Sequence, residues 1–99
     1  MKKSKSIKAK NAAELAEALG LSRADAVEME IRSTLNDKII EIAHKTNLTH
    51  VQIARLAQTS RTRITAIMNR NTHQVSTDLL LRILASLGVR TKINFSQAA

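Results

Sequence analysis

No cysteine occurs among the 99 residues. Neither a disulfide framework nor a thiolate metal site can therefore reinforce the core, and the absence fits a reducing compartment. Phe95 is the sole aromatic residue. Modules that read single strands or RNA stack bases on Phe, Tyr or Trp, and this chain has no such platform. The two glycines, Gly20 and Gly88, fall at expected helix ends, so no glycine-rich loop is available to cradle a phosphate. No apolar run approaches the roughly 18–20 residues of a membrane span. The lysine-rich start is not followed by an apolar segment of the kind a secretory signal needs, and the expected location is cytoplasmic. His44, His50 and His73 follow no metal-ligand spacing, and nothing resembles a nucleophile elbow. The expectation is a protein that is not an enzyme, with no metal and no cofactor.

What is present is positive charge. A chain of this length makes one domain with a thin core, burying only about 60–65% of the surface its unfolded form exposes, so help from a partner subunit is plausible on size alone. The net charge is +8, which suits a polyanion; nucleic acid and an anionic membrane fit equally at this level. The distribution says more. Residues 1–10 carry five lysines and no acid, whereas residues 11–41 hold seven Asp or Glu against three Lys or Arg. From Ile42 to Thr77 there is no acid, while Lys45, Arg55, Arg61, Arg63 and Arg70 all lie there. A surface that faces phosphates needs such a stretch, because a carboxylate would repel the backbone. With no aromatic platform, duplex DNA is the better match.

Residues 1–10 have no useful periodicity and read as a disordered basic arm, leaving 11–99 as the folded domain. Asn11 can cap a short helix with Leu15, Ala16 and Leu19 on its apolar face, ended by Gly20. Ser22 with Asp25 opens a second helix to about Lys45, with Val27, Ile31, Leu35, Ile39 and Ile42 as its core stripe and Asn47 as its stop. Thr49 caps a third, ending near Ala57. Gln58 and Thr59 make a turn, and Ser60 caps a fourth helix from Arg61 to about Asn69. Ser76 or Thr77 caps a fifth through Leu87, with Leu79, Leu80, Ile83, Leu84 and Leu87 at helical spacing and Gly88 at its end. Residues 89–95 alternate apolar and polar, which predicts a short β-strand. With no second strand in the chain, it would pair with its own copy or with another protein.

The stretch LTHVQIARLAQTSRTRITAIMNR has the pattern of a helix-turn-helix. Val51, Ile53 and Ala54 are expected to face inward and to meet Ile64 and Ile67, which leaves Arg61, Thr62, Thr65, Ala66 and Asn69 outward. Arg61 and Thr62 open the second helix, the end that enters the major groove in this motif. Arg bonds guanine O6 and N7, whereas Thr takes a hydrogen bond or touches a thymine methyl. Thr65 and Ala66, one turn on, reach further bases. Thr49 and His50 are placed for phosphates, together with the amides of their helix N-terminus. Arg63, Asn69 and Arg70 are assigned to phosphates as well.

On these residues the segment from Leu48 to Arg70 resembles the Cro/repressor (XRE-type) helix-turn-helix. ALGLSRADAVEMEIR, AQTSRTRITAIMNRN and VSTDLLLRILASLGV together resemble compact antitoxins of the HigA type, over about residues 11–95. The resemblance implies an all-α, five-helix, lambda-repressor-like fold with the C-terminal strand appended. It implies a dimeric bacterial repressor on a palindromic operator, and a partner toxin of the RelE/HigB kind that cleaves mRNA. One departure stands out. Gln58 occupies the turn position where the motif usually has Gly, which requires a left-handed non-glycine residue or a different turn. Two rival readings stay open: a stand-alone or phage-derived regulator without a toxin, and a module whose main task is neutralising a partner enzyme through the acidic segment 11–41.

Overall fold

Side chains at the helix starts fix where each element begins. The computed structural model describes Glu14, Ala18, Gly20 and residues 22–97. Four helices are delimited among them: α1 (Arg23–Thr46), α2 (His50–Ala57), α3 (Arg61–Met68) and α4 (Thr77–Ser86). Ser22 and Asp25 form a reciprocal box ahead of α1, Ser22 Oγ accepting from the Asp25 N–H and the Asp25 carboxylate accepting from the Ser22 N–H. Thr49 and Gln52 do the same for α2. Ser60 and Ser76 each accept one N–H of the turn that follows, so Ser76 rather than Thr77 caps α4. Each such cap is worth about 1 kcal/mol.

The helices end as regularly as they start. Gln58, Arg70 and Gly88 have φ of 57°, 60° and 83°, and each is followed by the same closure. The N–H groups of Thr59, Asn71 and Val89 reach back to the carbonyls of Ala54, Ala66 and Leu84 at 2.8–2.9 Å. This is the Schellman pattern, which satisfies carbonyls that the helix leaves unpaired. Gln58 takes the left-handed state that its position demands, and Asn47 does so after α1.

Residues 1–34 and 35–99 form two units, the division falling within α1. In the first, Ala26 is buried, but Val27 and Ile31 are 50% and 49% exposed. Of the expected five-residue stripe only Leu35 and Ile39 are buried, and Ile42 is half-buried. Steps of four residues advance about 40° beyond a full turn, so the series walks off the face that Leu35 and Ile39 bury. In the second unit Leu35, Ile39 and Ala43 join Ile53, Ala54, Ala57, Ile64, Ile67, Val75 and the α4 leucines in one core. There α2 packs against both α3 and α4. Ile39, Ile53, Ile64, Ile67, Leu80, Ile83 and Leu84 are fully buried, each stabilising the fold by about 1.5–3 kcal/mol. Val51, expected inward, is 44% exposed. It lies about 60° beyond Ala54, on the side away from Ile53.

Two further expectations are corrected. The count of five helices becomes four among the described residues. The basic arm and nearly all of the expected first helix lie outside them, although Glu14 and Ala18 are helical. The strand over 89–95 is not formed. No strand occurs among the described residues, so its N–H and C=O groups find no ladder to join. Val89 instead packs against the core, while Ile93 and Phe95 are 72% and 93% exposed.

Candidate nucleic-acid interface

Ile64 and Ile67 are the only fully buried residues of α3, and they lock one side of that helix into the core. The opposite side is open. Arg61, Thr62 and Arg63 are exposed in its first turn, Thr65 and Ala66 are half-buried, and Asn69 and Arg70 are exposed at its end. Thr49 is exposed and His50 half-buried at the start of α2. All nine residues assigned from the sequence thus reach the surface, on α3, just past its C-terminus or at the N-terminus of α2.

Two of them are tied to each other. His50 Nδ1 lies 2.9 Å from Thr65 Oγ1, joining the start of α2 to the middle of α3. The bond fixes the rotation of α3 under its exposed residues. It also takes up one hydrogen-bonding position of the Thr65 hydroxyl. At the far end, Asn36 is buried on α1 and donates from Nδ2 to the Ile67 carbonyl at 3.2 Å. Buried polar contacts of this kind orient elements as well as stabilise them.

A groove of about 570 Å³ runs beside α3. Ser60, Thr62, Arg63 and Ala66 form one wall, and the segment following α3 supplies Asn71, His73, Gln74 and Val75 as the other. The sequence reading missed this second wall. The polar, acid-free NTHQV segment was its one signal. Arg70 holds a different surprise: its guanidinium is bonded to Asp37 of α1 at 2.5 Å. Arg61 and Arg63 have no ion pair among the described residues. No group of three His, Asp or Glu among the described residues could hold a metal ion.

Two short helices joined by a left-handed turn, the second carrying an outward basic first turn, have the form of a helix-turn-helix. Residues 17–96 match a family model described as a helix-turn-helix domain. The chain belongs to the helix-turn-helix domain family. No curated protein and no solved structure matches it significantly. As a helix-turn-helix DNA-binding protein it has α2 and α3 in the positions of the motif's first and second helices. No described helix is long and apolar enough to cross a membrane.

Proposed function

We propose that this protein is a sequence-specific repressor that binds a palindromic operator as a homodimer. The observation that carries the reading is the first turn of α3, where Arg61, Thr62 and Arg63 stand exposed on a helix held from behind by Ile64 and Ile67. Arg61 and Thr62 meet base edges, and Ala66 makes apolar contact with a base. Thr65 joins them through its methyl and the hydrogen-bonding capacity its hydroxyl keeps beside His50. Arg63, Asn69, Thr49 and Arg70 contact phosphates, and His50 combines positioning of α3 with a place at the α2 N-terminus. Selection from a pool of randomised duplexes tests this. Two symmetric half-sites about 10 bp apart are expected, and a selected pool with no common sequence would sink the proposal.

The XRE-type assignment and the antitoxin role extend the same reading. In it the protein is cytoplasmic, bacterial and not an enzyme, and represses its own operon together with a RelE/HigB-like toxin. Val27 and Ile31 support a protein-binding role, because they expose apolar surface beside the exposed Glu28 and Glu30. A basic product of the adjacent gene that co-purifies with the wild-type chain, and is lost from V27E/I31E while DNA binding persists, is the expected result. A neighbouring metabolic or phage gene favours the stand-alone regulator instead.

A further inference from the structure

Between Ile42 and Thr77 the sequence contains no acid, yet the fold returns one carboxylate to the end of this stretch. Asp37, on α1, sits against Arg70, 33 positions later in the chain. Arg70 is held from its own side as well. It occupies a left-handed closure after α3, with its N–H bonded to the Ile67 carbonyl at 3.0 Å. Its guanidinium therefore starts from a fixed point within reach of α1. Both side chains are more than half exposed, at 57% and 58%, so the pair faces solvent and does not serve to fill the core.

We infer that Asp37 competes with a DNA phosphate for Arg70, a carboxylate that keeps DNA affinity below what the cations of this surface would give. The inference rests on the proposed DNA reading and deepens it. A guanidinium presents the same fork to a carboxylate as to a phosphate, so one excludes the other at the same N–H groups. In the free protein the pair is locally neutral. Arg70 then contributes little to the release of counterions from DNA, which is the source of salt-dependent affinity. Glu41, one turn further along α1, provides a contrast. The hydrogen bond and charge of Lys38, with the charge of Lys45, hold its carboxyl below the ordinary range, and it has no ion pair with α3 or the segment after it.

The test uses the full chain, a labelled duplex of about 30 bp with mixed sequence, and titrations across a range of salt, since a phosphate contact is independent of sequence. Asp37→Asn keeps the shape and an acceptor oxygen while removing the charge. It should tighten binding about two- to fivefold, matching the worth of an exposed ion pair. It should also steepen the dependence of log K on log salt by about 0.9, one phosphate contact. Glu41→Gln removes the same charge from the same helix and should change binding less. With Arg70→Gln in place, Asp37→Asn should do no more than Glu41→Gln. Equal gains with and without Arg70 would reduce the effect to net charge and overturn the inference, as would weaker binding by Asp37→Asn, which would make Asp37 a support for Arg70. If Asp37→Asn melts below the wild type, the salt slope at a temperature where both are folded still decides. Failure of the wild type and every variant to bind the duplex would remove the DNA reading itself, and the inference with it.

Discussion

Replacing Gln58 by glycine should stabilise the protein, and the amount follows from one backbone position. Gln58 has φ 57° and ψ 48°, a conformation that costs a residue with a Cβ roughly 1–2 kcal/mol. Glycine escapes that cost but loses more freedom on folding, about 0.5–1 kcal/mol. The difference leaves a net gain of about 0.5–1 kcal/mol. Little is lost in exchange. The Gln58 side chain is exposed and makes no hydrogen bond among the described residues, and the two closing bonds from the N–H groups of Gln58 and Thr59 belong to the backbone. For a chain of this size the urea slope is about 1 kcal/mol per molar, so the midpoint should rise by about 0.5–1 M at fixed protein concentration. Gln58→Ala keeps the Cβ and should gain nothing. The reasoning fails if Gln58→Gly destabilises the chain, or if the alanine variant matches it. Because the turn geometry is unchanged, duplex affinity should stay within about twofold.

The two arginines of the first turn of α3 should separate by assay. Arg61→Ala should relax preference at one operator position, losing about 1–3 kcal/mol of discrimination there, whereas Arg63→Ala should weaken all sequences alike and flatten the salt slope by about one; competition titrations against single-base variants distinguish them. Thr65→Val keeps shape but removes the hydrogen bond to His50, at a cost of about 0.5–1.5 kcal/mol in a urea melt, and binding to the selected site should fall more than binding to random duplex. Deleting residues 89–99 should abolish the proposed dimer, and an unchanged mass by light scattering would refute the pairing role of that segment.

The helix starts were legible because each depends on residues three apart. Thr49 with Gln52, Ser60 with the N–H of Arg63, and Ser22 with Asp25 need no knowledge of the rest of the fold. The buried faces of α3 and α4 were legible for a related reason: their apolar spacing stays in phase with the helix over two to three turns. In α1 the four-residue spacing runs for longer, and its drift exposes Val27 and Ile31. Arg70 gives no sign of its left-handed backbone, since arginine has no preference for that state, and its closure depends on where the chain goes next. The partnership of Asp37 depends on a segment distant in sequence, and the second wall of the groove on the course of the loop directly after α3. The tail from Val89 alternates like a strand, but alternation names only a face, and a strand exists only where another strand accepts it.

The tie between His50 and Thr65 bears on how many copies are needed. With Thr65 half-buried and tied to His50, the exposed polar groups that α3 offers to bases are those of Arg61 and Thr62, beside the methyl groups of Thr65 and Ala66. At about 1–3 kcal/mol for each good polar contact, one chain can discriminate by roughly 2–6 kcal/mol. Sites that function against a genome of competitors are commonly bound about 4–10 kcal/mol tighter than random DNA. A single α3 reaches only the lower part of that range, and two copies on a symmetric site cover it. The small number of free polar readers is thus an argument for the dimer that does not depend on the tail at all. It makes its own demand: a variant held monomeric should keep its affinity for random duplex and lose most of its preference for the selected site.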